Sequence, residues 1–233
     1  MNPLPTKPII SIDIVSDVAC PWCYIGKERL GKAVEALKDQ FQFHISFKPF
    51  QLDPHIPAEG IPYQSYLAHK FGGIDQLDEV FHRVETIGES LGIDFQFRKI
   101  PKALNTLPLH VLLKVAEKEG FQHRLAPMLF EVYMVQPQDL SKPETLVDIM
   151  RHFGWEETKT LEILADKELT TAVQNEIKHY QEMGISGVPF FIINNKFGIS
   201  GAQTTDTFLS AFQDLQPEDF PTPANSCSVD EKC

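Results

Sequence analysis

The sequence predicts an α/β protein: a mixed β-sheet into which a large all-helical block is inserted. Three observations carry this expectation. Strand, helix and strand patterns follow one another within about forty residues near the start. About 110 residues then carry helical periodicity with no clear strand, and a strand–turn–strand–helix pattern closes the chain.

Residues 9–15 alternate apolar and polar side chains and end in Ser16 and Asp17, the signature of a half-buried strand and its exit. From Tyr24 the period changes. Ile25, Leu30, Val34 and Leu37 recur at helical spacing, which predicts a helix from near Cys20 to about Lys38. A second strand is predicted at 43–47. Together they form a βαβ unit, which implies a parallel pair with a right-handed crossover.

Residues 48–62 read as loop, with Pro49, Pro54, Pro57, Gly60 and Pro62 breaking any regular pattern. Helices follow. Leu77, Val80, Phe81, Val84, Ile87 and Leu91 share one helical face; 107–118 and 122–135 form two more helices, the first stopped by Gly120. Ser141 and Glu144 have capping-box spacing ahead of a helix through Leu146, Ile149 and Met150, closed by Gly154, and 166–183 form another before Gly184. Strand character returns at 189–193, turns at Asn194 and Asn195, and resumes at 196–199 as a hairpin. Thr204 or Thr205 caps a last helix to Leu215. Beyond it Pro217, Pro221 and Pro223 lie among polar residues, a pattern that predicts an extended tail.

At 233 residues the chain can bury roughly 70% of its unfolded surface, so it needs no disulfide framework or structural metal to hold a core. Its four cysteines therefore need another explanation. The formal charge of −11 repels phosphate backbones and anionic lipid, which argues against nucleic-acid and membrane partners. No apolar run approaches a signal sequence or a membrane span, so a cytoplasmic protein is expected.

Cys20, Pro21, Trp22 and Cys23 stand where the first strand meets the first helix. A thiolate at a helix N-terminus is stabilised by free backbone N–H groups and the positive end of the macrodipole, which makes Cys20 the nucleophile. Cys23, one helical turn further in, is placed to attack a mixed disulfide formed at Cys20 and so complete dithiol–disulfide exchange with no cofactor. Pro21 suits the first helical position, where its missing N–H costs nothing. Two other readings of the pair stay open: inert core thiols, or half of a zinc site completed by Cys227 and Cys233. The tail pair has five residues between its cysteines, wider than the usual two to four of paired zinc ligands.

The stretch SDVACPWCYIGKERL, the later GISGVPFFIINNKFGISGAQ and the intervening helices resemble the DsbA-like thioredoxin-fold oxidoreductases, and within them the FrnE-like subgroup. The resemblance spans residues 9–215 and implies a thioredoxin fold with an inserted helical domain. The corresponding limits are 1–60 and 184–216 for the thioredoxin-fold domain, 61–183 for the insertion and 217–233 for a flexible tail. Val188 and Pro189 match the family's cis-proline position, which implies that this bond is cis, packs against the dithiol and leaves the Val188 backbone to pair with substrate.

Asn105, Thr106 and His110 match an Asn-Thr…Ala-His pattern of the subgroup, with Leu109 in place of the alanine. His110 is accordingly a candidate to support the Cys20 thiolate, and packing or capping is the alternative for all three. Phe50, Leu52 and Pro54 also fit, and read as packing residues. The remaining histidines show no metal spacing, so no metal is expected. Trp22 reads as an apolar contact for substrate and Trp155 as a packing residue. Nucleotide-binding and hydrolase motifs do not occur.

The function expected is thiol–disulfide oxidoreduction or disulfide isomerisation on protein or small-thiol disulfides, with a thiol reductant as electron donor. Related chains include kappa-type glutathione transferases and hydroxychromene carboxylate isomerases, which carry serine where Cys20 stands. A glutathione-dependent activity of that kind is the second class, and a non-catalytic chaperone, partner-binding or zinc-binding module is the third. The resemblance also implies that Cys227 and Cys233 form an auxiliary redox pair; two solvated thiols in a disordered end are the alternative. The sequence does not specify an oligomeric state.

Overall fold

The structure, a computed structural model, describes residues 7–220. The first strand, β1 (Ile9–Ser16), turns its alternate residues Ile10, Ile12 and Ile14 into the core. It leads into α1 (Pro21–Leu37), which begins with Pro21 at its first position, and then β2 (Gln42–Pro49). A two-residue strand, β3 (Ile61–Pro62), precedes α2 (Tyr63–Phe71) and α3 (Ile74–Glu89), and β4 (Lys102–Ala103) pairs antiparallel with β3. Five helices follow: α4 (Leu107–Lys118), α5 (Gln122–Met134), α6 (Pro143–Arg151), α7 (Glu157–Ala165) and α8 (Lys167–Glu182). β5 (Phe190–Ile193), β6 (Phe197–Ser200) and α9 (Thr205–Gln213) complete the order.

The main sheet runs β2-β1-β5-β6, with β1 parallel to β2 and antiparallel to β5. This is the predicted mixed sheet. α1 and α9 cover one face, where Phe208 meets Phe191 edge-on at 4.8 Å and Phe212 lies 5.3 Å from Phe43. On the other face Val15 and Ile192 pack with Tyr180 of α8. The edge of β2 is closed by a side chain: Gln122 accepts from Phe47 N at 2.8 Å and donates to Phe47 O at 2.9 Å. One apolar cluster runs from Ile12 and Leu30 through Phe81, Leu112 and Tyr133, so the inserted helices share the core of the sheet.

A glycine sets the spacing on the α1 side. A Cβ on Gly26 would stand 3.0 Å from the Phe191 ring and 3.1 Å from Pro189 Cγ, so the absent side chain is what lets the helix approach these residues. The β5–β6 turn uses Asn194 and Asn195, both at positive φ (50° and 56°). Asn194 also accepts from Ser11 N at 2.8 Å and donates to Asp219 O at 2.9 Å.

Several local expectations are corrected. Helices α2 and α7 and the β3–β4 pair lie where the pattern gave no element. Leu91 falls in the turn after α3 rather than on its face. Ser141 does not cap α6: its hydroxyl turns back to Asp139, and Lys142 is the N-cap residue with no side-chain bond. Residues 217–220 do not open an extended tail; 217–219 form a 3₁₀ turn and Phe220 stacks on Phe41 at 6.1 Å. Cys227 and Cys233, with the rest of the tail, lie outside the described residues. Among the described residues no helix is long and apolar enough to cross a membrane.

Candidate active site

β1 ends at Ser16, and the chain turns through residues 17–20, closed by a hydrogen bond from Cys20 N to Asp17 O at 3.0 Å. Cys20 is the N-cap residue of α1, with extended backbone angles, and its carbonyl accepts from Cys23 N at 3.0 Å. Both cysteines are buried, 4% and 1% exposed, and neither is in a disulfide. The Cys20 thiol donates to the Val188 carbonyl at 3.6 Å, and the Val188–Pro189 peptide is cis. Burial pushes the Cys23 thiol well up from its ordinary range, and the neighbouring Cys20 adds to this; hydrogen bonds from the Asp17 backbone and the Ser16 side chain oppose it only partly.

Asp17 organises the turn. Its side chain is almost fully buried, with one oxygen accepting from Ala19 N at 3.1 Å and the other from Leu52 N at 2.7 Å. That second bond ties the turn before Cys20 to the 50–56 loop. The same loop is braced from α4 and the residues just before it. Asn105 accepts from Gln51 Nε2 at 3.0 Å and donates to Ile56 O at 2.9 Å, while its oxygen also takes the Leu107 N–H at 3.1 Å. His110 donates from Nε2 to Phe50 O at 2.8 Å, and the same nitrogen lies 3.8 Å from Asp17.

Cys20 opens on an apolar chamber of about 300 Å³ between the sheet end and the inserted helices. Trp22 and Val188 flank the thiol; Ile56, Leu67, Phe81, Phe97, Leu104 and Tyr133 line the interior. At its mouth the Tyr66 hydroxyl donates to Asp53 at 2.7 Å and receives Lys70 Nζ at 3.3 Å. The Tyr66 bond holds the Asp53 carboxyl below the usual carboxylate range, while burial and that carboxylate push the Tyr66 phenol up.

Residues 11–213 match the sequence profile of the DSBA-like thioredoxin domain. The chain belongs to that family. Its structure superimposes on the probable DsbA oxidoreductase of Streptomyces coelicolor with a TM-score of 0.80 and 26% identity, covering 89% of this chain and 92% of that one. A 2-hydroxychromene-2-carboxylate isomerase matches with a TM-score of 0.67, 13% identity and coverage of 87% and 94%. The cytosolic disulfide reductase DsbM of Pseudomonas aeruginosa, solved with GSH, matches with a TM-score of 0.60, 14% identity and coverage of 87% and 97%. The last two likenesses concern the fold.

In this DSBA-like chain the structure brings Cys20, Cys23, Pro21, Trp22, Val188 and Pro189 to one end of the sheet. His110 lies near the same end, yet its hydrogen bond goes to the Phe50 carbonyl rather than to a thiol. Leu52 and Pro54 are corrected: Leu52 is 43% exposed at the chamber mouth and Pro54 is exposed too, so neither is packed like Phe50. Sequence reasoning missed Asp17 and the Asp53–Tyr66 pair. The one signal for Asp17 was an acidic residue three positions before the first cysteine. Among the described residues no group of three or more His, Cys, Asp or Glu side chains is arranged to hold a metal ion.

Proposed function

We propose that this protein is a cytoplasmic thiol–disulfide oxidoreductase of the FrnE-like kind, working through a Cys20–Cys23 dithiol. One observation carries the reading: a cysteine at the N-cap of α1 faces the Val188 carbonyl and an open chamber, with a second, more deeply buried cysteine one turn behind it. The Cys20 thiolate attacks one sulfur of a substrate disulfide; the S–S bond breaks, the other sulfur leaves as a thiolate, and a mixed disulfide remains on Cys20. Cys23 then loses its proton and attacks the Cys20 sulfur. The second substrate thiolate is released, the substrate has gained two electrons and the protein holds a Cys20–Cys23 disulfide, which a thiol reductant returns to the dithiol.

The division into a thioredoxin-fold part (1–60, 184–216) and an insertion (61–183) gives each part a task in this reading. The first carries the dithiol, and the second, through α2, α3 and α5, walls the chamber that receives substrate. Reduction of insulin by the full chain with a dithiol reductant, followed as precipitation of the insulin B chain, tests the proposal. Acceleration above the reductant alone, lost in Cys20→Ser, supports it; an equal rate with and without the protein overturns it.

A further inference from the structure

We infer that the chamber beside Cys20 selects disulfides in which one thiol half carries a bulky, uncharged aromatic group. This rests on the dithiol reading and adds a substrate class to it. Size is the first argument. A dry cavity of roughly 150 Å³ is enough to hold benzene, so about 300 Å³ takes a ring together with the short linker that joins it to sulfur.

The lining is the second argument. Tyr63, Phe81, Phe97 and Tyr133 are buried aromatic residues of the chamber wall, offering ring edges and faces to a guest ring. Leu52 and Phe71, 43% and 42% exposed, extend the apolar surface out to the mouth. Such side chains gain from excluding water only if an apolar group covers them.

Charge is the third. The ionisable acids and bases of the lining, beyond the thiol and the phenols, are Asp17, Asp53 and Lys70. Asp17 spends both oxygens on backbone N–H groups, and Asp53 is bonded to Tyr66 and to the His55 N–H. Two carboxylates against one ammonium give the chamber a negative bias, which a net anion such as oxidised glutathione meets unfavourably. The preferred guest is therefore neutral as well as aromatic. Its disulfide is cleaved by the two exchanges set out above: the aromatic half stays on Cys20 as a mixed disulfide, the other half leaves as a thiolate, and Cys23 then releases the aromatic thiol.

The test uses the pre-reduced full chain in single turnover with 2-hydroxyethyl 2-phenylethyl disulfide, bis(2-hydroxyethyl) disulfide and oxidised glutathione. Each rate is divided by that of free dithiothreitol with the same compound, which removes differences in intrinsic reactivity. The phenylethyl compound is expected to exceed the other two by about tenfold or more. Leu67→Trp, which fills the chamber from α2, is expected to reduce that ratio severalfold. A mixed disulfide of mercaptoethanol with N-acetyl-Cys-Phe amide, which is neutral, distinguishes the source of the ring: an equal gain extends the class to aromatic residues flanking a peptide cysteine, and no gain confines it to small molecules.

Broadening of the fluorine resonance of 2-(4-fluorophenyl)ethanol, which has no sulfur, reports occupancy without any exchange chemistry. Equal normalised rates for all three disulfides with no broadening overturn the aromatic selection and leave the dithiol reading intact. Broadening with no disulfide reduced overturns the dithiol reading while the aromatic site stands.

Discussion

Gly26 of α1 and Phe191 of β5 are spaced so closely that the smallest side chain would bring a carbon to 3.0 Å from the ring. Pro189 stands almost as near, at 3.1 Å, so the helix that starts at Cys20 is registered against the residues that follow Val188 by the absence of one methyl group.

Gly26→Ala is therefore expected to push α1 away from β5. Inserting a methyl group into a packed interface costs about 1 to 3 kcal/mol, outweighing the gain in helix propensity of up to about 1 kcal/mol. Urea unfolding is the check, and a variant as stable as the parent would show that the contact relaxes freely. Disulfide exchange should slow as well, because the displacement moves Cys20 from the Val188 carbonyl.

The two cysteines are expected to fail differently. Cys20→Ser stops exchange at the first step, whereas Cys23→Ser still attacks substrate and accumulates a mixed disulfide it cannot resolve. Mass spectrometry after mixing with a disulfide peptide reads the difference. Adducts on Cys20→Ser and none on Cys23→Ser would reverse the assigned roles.

Burial raises the Cys23 thiol above its ordinary range. In the reduced protein the folded state thus holds this proton at pH values where the unfolded chain has lost it. Stability from this group is intact below about pH 8.5 and falls as pH rises from there toward the folded value. Denaturant midpoints of the reduced chain between pH 7 and 10 should decline more steeply than those of Cys23→Ala. Parallel profiles would place the pH dependence elsewhere.

Asp17→Asn keeps the size of the side chain but gives it one oxygen where two accept now. Either the Ala19 N–H or the Leu52 N–H then loses its acceptor, at a cost near the lower end of the about 1 to 3 kcal/mol of a buried unpaired donor, because both bonds are only part-buried. The expected result is a lower unfolding midpoint together with faster amide hydrogen exchange at Leu52. Unchanged exchange there would mean that the loop is held by Asn105 alone.

The elements that organise the sheet were legible in the sequence because their periods are undiluted: the Ile10, Ile12, Ile14 alternation, the α1 stripe and the two asparagines of the hairpin. α7 was not, since Thr160 is its one buried residue and a helix with so little buried surface leaves no apolar stripe. β3 and β4 are two residues each, below the length at which alternation exists. Cys20 and Cys23 were visible as a motif. The chamber was not, because Phe81, Leu104 and Tyr133 come from separate segments of the chain and each reads alone as ordinary core. Asp17 was hidden for a related reason: an acidic residue at a strand end looks the same whether it faces water or accepts two backbone N–H groups.

The antiparallel pairing of β1 with β5 also bears on how the site assembles as the chain folds. β1, α1 and β2 are contiguous, so the parallel half of the sheet can form within about forty residues. The Cys20–Val188 contact instead closes a loop of 168 residues. Because closure entropy grows only with the logarithm of loop length, the longer loop costs just about 1 kcal/mol more than a forty-residue one. Residues added to the insertion away from the shared core therefore add little closure cost to the pairing of the thiol with its carbonyl partner, which meet because the end of one strand and the start of its antiparallel neighbour share one end of the sheet.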